Sequence, residues 1–455
     1  MTTTPKDSTN MHAFDAQMAE GVLEYVRDRL ALIETPLDGI DDVSKLESLL
    51  KDLITKDGIG YEAALKLYDQ DLSRMVISAD SPKYFAFIPA APTKASLLFD
   101  SVISAASLQG ISWLEAAGAI AAENQALKFL SDAAGLPSTA GGTFVSGGSS
   151  ANLAALTVAR DTQRTARNLE KRSLVRVAVS EQAHSSIERA LSILDIEALV
   201  VKTENHRLTG DALERTLNSD PHPENVIAVV ATSGTTNAGI IDDLESIAQV
   251  AKKHDLWFHI DGAYGAAALL APSVKPLFKG FEHADSFIID PHKWLFAPFD
   301  SAAVIYRNPN LAKQVHTQHA SYLDVLHGPD DWNPSDYAHH LTRRARGLAF
   351  WFSLITYGTD AYTSAIESSI DLTHQVAREM KKNPNIELIN EPQLSIILFK
   401  RKDWNETDYQ KWAAELLQSQ IAFVAPSAWN GEVVGRLVFL HPSTTLEMAL
   451  AAVPK

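Results

Sequence analysis

Lys293 stands in SFIIDPHKW, behind the apolar run 286–289 and between His292 and Trp294. An amine held partly out of water gives up its proton more readily, and such lysines condense with aldehydes to Schiff bases. A lysine beside a tryptophan is also a common snorkelling surface residue. Asp261 closes LWFHID, where a carboxylate behind an apolar strand is costly to desolvate unless it meets a cation or hydrogen-bond donors. It could hold a protonated ring nitrogen, or act as a helix cap or ion-pair partner. In SGGSSAN at 146–152, Gly148 and Ser149 fall between the run TFVS and the helical ANLAALTVAR. Free N–H groups, the helix dipole and hydroxyls there suit a phosphate, and equally an ordinary glycine turn with a serine cap.

Two further groups are weaker individually. His184 follows the run 175–179 in SEQAHSS, and Thr232 follows the run 226–231 in ATSGTT. An imidazole stacks on a planar ring, and a threonine hydroxyl bonds a phenolic oxygen. Taken in chain order, a phosphate cradle, a stacking imidazole, a hydroxyl, a carboxylate and an amine form the set that pyridoxal phosphate requires.

These residues need a scaffold that brings strand ends together. Short β-rich runs at 143–146, 175–179, 198–202, 226–231, 256–260, 286–289 and 302–306 alternate with helical stretches such as 149–165, 184–194 and 242–254. Continuous apolar strands separated by helices predict an α/β fold, with a mostly parallel central sheet covered by helices on both faces. In such sheets ligands bind beyond the carboxyl ends of the strands. Residues 11–75 show helical periodicity that needs a partner surface. After a helix around 343–357, the pattern predicts a small α+β unit with strands at 386–390, 394–400, 421–424 and 434–440 and a helix at 407–419.

Composition narrows the function classes. Lys and Arg number 40 against 56 Asp and Glu, so the formal charge of −16 argues against nucleic acid as a partner. With no cysteine there are no disulfides, thiolate metal sites or cysteine nucleophiles. No apolar run reaches the ~18 residues of a membrane span. MTTTPKDSTN lacks the pattern of a secretory signal, so a cytoplasmic protein is expected. No HExxH-type spacing accompanies the 15 histidines, and no metal is expected.

The blocks SPKYFAFIPA, GISW, SGGSSANLAAL, SEQAHSS, ATSGTTNAGIIDD, HIDGAYG, DPHKW and RRARGLAFWF occur in that order between residues 81 and 352. Together they resemble the group II pyridoxal-phosphate-dependent amino-acid decarboxylases. The resemblance implies the fold of the fold type I pyridoxal-phosphate-dependent transferases. It implies a helical dimerisation segment at 1–80, a large cofactor-binding α/β domain at 81–345 and a small C-terminal α+β domain at 346–455.

It also implies that Lys293 carries the cofactor covalently, that Asp261 contacts the pyridine nitrogen, and that His184 stacks over the ring with Ala263 on the opposite face. Gly148, Ser149 and His292 would hold the phosphate, and Thr232 would sit near the ring hydroxyl. Phe87, Ile88, Pro89 and Ile111 match substrate-pocket positions, part of them reaching across the boundary of a homodimer. The proton donor of many members is a tyrosine on a mobile loop; Tyr337 is the choice here, with Tyr322 the alternative. The expected reaction is decarboxylation of an aromatic or large apolar L-amino acid to the amine and carbon dioxide. Alternatives are an aldehyde synthase, a decarboxylase of an acidic or diamino acid, a transaminase, and a catalytically silent relative.

Overall fold

The structure, a computed structural model, describes residues 11–39, 43–88, 91–319, 321, 328 and 331–455. Seven strands form the central sheet: β1 (Gly141–Val145), β2 (Arg176–Ser180), β3 (Glu197–Val201), β4 (Val226–Thr232), β5 (Trp257–Asp261), β6 (Ser286–Ile289) and β7 (Ala302–Tyr306), in the order β1-β7-β6-β5-β4-β2-β3. The pairs β3–β2, β2–β4, β4–β5 and β5–β6 are parallel, while β7 runs antiparallel to both of its neighbours. Every residue of β4, β5, β6 and β7 is buried, as expected of strands covered on both faces.

No helix separates β6 from β7, so the chain turns straight back into the sheet there. A parallel return requires a long crossover, whereas an antiparallel one does not. That reversal leaves residues 290–301 at the carboxyl end of β6. The register sets Thr232 beside Asp261 and Asp261 beside Ile288, so the ends of β4, β5 and β6 are level.

Helix Gly148–Ala166 packs against the sheet through Ala151, Ala154, Ala155, Val158 and Ala159, all buried. Small side chains let its axis come close, which carries its first turn to the strand ends. The glycine before it, Gly147, is extended rather than left-handed.

The C-terminal unit is an antiparallel sheet of β8 (Ile386–Leu388), β9 (Ile396–Arg401), β10 (Ser427–Trp429) and β11 (Glu432–Val438), ordered β10-β11-β9-β8. The strand expected at 421–424 is absent from it; Phe423 instead makes a lone parallel bridge to Tyr84, because its backbone pairs with the segment entering the large unit. Helix Glu406–Gln418 opens on a reciprocal capping box between Asn405 and Asp408. Helix Thr359–Met380 joins both cores: Tyr362, Ile366 and Ile370 face the large one, and Val376, Ala377 and Met380 the small one. Helix Leu348–Tyr357 packs with the large unit, stacking Phe352 on Phe99 with ring centres 4.0 Å apart.

The helical N-terminal segment is divided into Ala16–Ala31, Val43–Leu50 and Tyr61–Leu67, none of which has a buried residue. Among the described residues, no helix is long and apolar enough to cross a membrane.

Candidate active site

The carboxyl ends of β2, β4, β5 and β6 and the first turn of helix Gly148–Ala166 enclose a cavity of about 250 Å³. Gly148, Ser149, His184, Thr232, Asp261, Ala263, His292 and Lys293 all line it. The structure therefore brings together every cofactor-site residue expected from sequence. Asn152, Ser186, Gly234, Thr236, Tyr264 and Asp290 line it as well.

Lys293 is about four-fifths buried, and its Nζ lies 3.0 Å from the Asp290 carboxylate. Asp290 is 2% exposed, and its second oxygen has no hydrogen-bond partner among the described residues. His292 accepts the Ser301 N–H at Nδ1 and turns Nε2 toward Asp290, 3.7 Å away. Burial pushes its pKa down, so it is a neutral donor rather than a fixed charge.

Asp261 is buried but well supplied with donors. Its Oδ1 accepts the Ala263 N–H at 3.1 Å and its Oδ2 accepts Asn152 Nδ2 at 3.0 Å. Acceptance of hydrogen bonds by the charged form offsets the cost of desolvating it. His184 caps helix Ser185–Ile193, its Nδ1 accepting the Ser186 N–H at 3.1 Å and lying 2.8 Å from Ser186 Oγ. A ring nitrogen that accepts leaves the proton on Nε2.

The rest of the wall is fixed from both units. Tyr264 stacks on Trp294 and bonds to Ser395, and burial raises its pKa to about 12, which keeps it a neutral phenol. Arg436 of β11 donates Nη2 to Thr236 O at 2.6 Å and Nε to Asn237 O at 3.1 Å, tying the small unit to the loop behind β4.

The donor set fits pyridoxal phosphate on observations of this chain. A side chain added at Gly148 would come within 2.9 Å of Asp290 Oδ2 and 3.3 Å of the Ala263 methyl, so only glycine leaves the cradle open. The helix N-terminus behind it supplies unpaired N–H groups for an anion. A carboxylate with two donors and a lysine stand at the ends of adjacent strands of one sheet.

Other expected residues lie elsewhere. Tyr337 does not line the cavity: it is 3% exposed, stacked on Trp332 with ring centres 4.3 Å apart, and clustered with Ala338 and Val304. The resemblance implies a mobile loop at this position, but Trp332 and Tyr306, whose hydroxyl bonds Tyr337 O, hold Tyr337 in the core. Tyr322 and Pro89 lie outside the described residues. Phe87 is 59% exposed, Ile88 packs on the large core, and Ile111 is buried; none lines the cofactor cavity. Sequence reasoning missed Asn152, Ser186, His259, Asp290 and the pair Arg343–Glu123. All of these but Glu123 stood inside quoted motifs, but the contacts that give them a role depend on residues far along the chain.

A parallel sheet with a lysine, a carboxylate and an anion cradle at its strand ends defines a fold type I pyridoxal phosphate enzyme. The sequence profile described as "Pyridoxal-dependent decarboxylase conserved domain" matches residues 54–402, and the chain belongs to that family. It is therefore a pyridoxal-phosphate-dependent amino-acid decarboxylase, a carboxy-lyase. An aromatic-L-amino-acid decarboxylase of Bacillus atrophaeus is 30% identical over 454 residues, covering 96% of this chain and 94% of that one. An L-2,4-diaminobutyrate decarboxylase of Acinetobacter baumannii is 28% identical over 381 residues, covering 79% and 74%. In fold, the chain matches the crystal structure of Oryza sativa TDC with PLP and tryptamine at a TM-score of 0.89, with 21% identity and coverage of 99% and 97%.

Proposed function

We propose that the chain decarboxylates an aromatic or large apolar L-amino acid to the amine and carbon dioxide, working as a homodimer. The observation that carries the substrate class is the charge of the cavity wall. Among the described lining residues, Lys293 is the one lysine or arginine, and it is engaged by Asp290. Where a substrate side chain borders this cavity, an acidic one would lack a counter-charge. The 30% identity to an aromatic-L-amino-acid decarboxylase supports the same class.

When bound, pyridoxal phosphate supplies an electron sink for the pair left on Cα as carbon dioxide departs. Lys293 Nζ would be its attachment point. Asp261 would set a negative charge against the ring nitrogen, and Gly148, Ser149 and His292 would hold the phosphate. Thr232 would offer a hydroxyl to the ring, against which Ala263 and His184 would pack. His184, whose proton is on Nε2, would be a donor for the return of a proton to Cα.

Dimerisation is supported by apolar surface left without a partner. Phe14, Leu23 and Ile33 are 85%, 64% and 91% exposed, and Leu98, Val102 and Leu114 each exceed half. In such a dimer the exposed Phe87, with Ile88 and Ile111, would form an apolar substrate pocket.

The test is incubation of the loaded enzyme with a panel of L-amino acids, measuring amine, aldehyde and carbon dioxide separately. Amine and carbon dioxide in equal amounts from an aromatic substrate are expected. Preference for glutamate or diaminobutyrate refutes the substrate class, aldehyde as main product refutes simple decarboxylation, and a monomer in sedimentation refutes the assembly.

A further inference from the structure

Behind Asp261 and His184 a buried chain of hydrogen bonds runs back through Asn152 and Ser186 to His259, Ser286 and Trp257. Trp257 Nε1 and Ser286 Oγ are 2.8 Å apart, Ser286 Oγ and His259 Nδ1 2.8 Å, and His259 Nε2 and Asn152 Oδ1 3.0 Å. The Asn152 amide then reaches Asp261 Oδ2 at 3.0 Å and Ser186 Oγ at 3.1 Å, and Ser186 Oγ reaches His184 Nδ1 at 2.8 Å. Asn152, His259, Ser286 and Trp257 are all less than 5% exposed.

The direction of every bond follows from its ends. An indole N–H can only donate, and an ionised carboxylate can only accept. Trp257 therefore donates to Ser286, and at the other end the Asn152 NH₂ donates to Asp261, which turns Asn152 Oδ1 toward His259. His259 must then carry its proton on Nε2 and give it to Asn152 Oδ1, so its Nδ1 accepts the Ser286 hydroxyl. His184 Nδ1, already accepting the Ser186 N–H, accepts the Ser186 hydroxyl proton as well, and the His184 proton stays on Nε2. Burial pushes the His259 pKa down to about 4, in keeping with a neutral ring in this chain.

We propose that Asn152 is a positioning residue whose single amide, oriented through His259 by Ser286 and Trp257, holds the Asp261 carboxylate toward the cofactor's ring nitrogen. Flipping that amide would set Oδ1 against Asp261 Oδ2, while His184 would keep its tautomer because its Nδ1 still accepts the Ser186 N–H. Asp261 ends a strand and His184 caps a helix, and Asn152 bonds both the carboxylate and the Ser186 hydroxyl that meets His184.

The test has two arms and three variants. His259→Leu removes the donor to Asn152, His259→Gln offers an amide N–H in place of Nε2–H, and Asn152→Leu removes the hub while keeping its volume. In the cofactor-free protein, nitrogen-15 NMR of labelled histidine, with His259→Gln as the assignment control, reads the His259 tautomer. Wild type is expected to show Nδ1 as acceptor and Nε2 protonated. Asn152→Leu, which removes the acceptor at Nε2, is expected to show a mixture of tautomers. In the second arm, pyridoxal phosphate is titrated against protein fluorescence and the near-visible band. The dissociation constant should rise about tenfold or more in both leucine variants, as expected for loss of one hydrogen bond to a charged group, and recover in His259→Gln.

An unchanged His259 tautomer in Asn152→Leu, or equal cofactor affinity in His259→Leu and wild type, overturns the proposal. If the histidine variants fail to fold, Trp257→Phe and Ser286→Ala carry the same tautomer readout from the far end of the chain. The tautomer arm needs neither cofactor nor substrate, so its failure is distinguishable from failure of the proposed substrate class.

Discussion

Replacing Glu123 by glutamine removes the counter-charge of a guanidinium that has no access to water. The Arg343 and Glu123 side chains are 0% and 2% exposed, with Nη2 to Oε1 at 2.6 Å. The same carboxylate oxygen accepts the Gly347 N–H at 2.7 Å, and Arg343 Nη1 donates to Gly110 O at 2.7 Å. Arg343 Nε has no partner among the described side chains and backbone groups, so nothing nearby compensates for the lost charge. Breaking a buried pair from one side costs about 3–5 kcal/mol, while removing both charges is often close to neutral. Glu123→Gln and Arg343→Met should each cost that much. The double variant should cost about 1–2 kcal/mol, chiefly the orphaned Gly110 carbonyl. The assay is amide hydrogen exchange of the segments around Gly110 and Gly347, which reads local opening free energies in the native protein. Because Gly110 precedes Ile111, a raised KM with kcat maintained should accompany the single variants. A coupling energy below about 0.5 kcal/mol in this cycle would refute the reasoning, since contacting residues that act as a unit cannot be additive.

Three further outcomes are expected. Tyr337→Phe should leave kcat and the amine-to-aldehyde ratio unchanged, because the ring is stacked on Trp332 away from the cavity; a collapse in rate or a switch to aldehyde would show that this segment rearranges around substrate. His259, His316 and His340 are pushed by burial from 6.5 to about 4, about 4 and about 3, so the folded state binds fewer protons than the unfolded one. Their stabilisation is fully present above about pH 6.5 and is lost as pH falls toward 4, worth about 3 kcal/mol for His259 alone. Urea midpoints measured from pH 7.5 to 4.5 should fall accordingly, and a flat profile would contradict it. Gly148→Val should weaken pyridoxal phosphate binding about tenfold or more in equilibrium dialysis, since its side chain would collide with Asp290 and Ala263 and close the cradle. Unchanged affinity would move the phosphate elsewhere.

The local chemistry of the sequence determined the strands, the helices and the ordered set of polar groups behind them. Apolar runs of five to seven residues form strands wherever both faces are covered, and a helix following a glycine turn exposes N–H groups whatever the rest of the chain does. Hence Gly148, His184, Thr232, Asp261 and Lys293 were legible, each standing just behind an apolar run. Only the tertiary structure decided which partners they have. Asn152 meets Asp261 across 109 residues of chain and Arg343 meets Glu123 across 220, and no spacing rule relates such pairs. Tyr337 shows the same limit from the other side: its Gly/Pro/Asp-rich surroundings read as a loop, while its burial was set by Trp332 and Tyr306 packing around it. The direction of a hydrogen bond between groups that can each donate or accept depends on what stands at both ends of its network. That information exists only once the strand carrying Trp257, His259 and Asp261, the strand carrying Ser286 and the helix carrying Asn152 have been brought side by side.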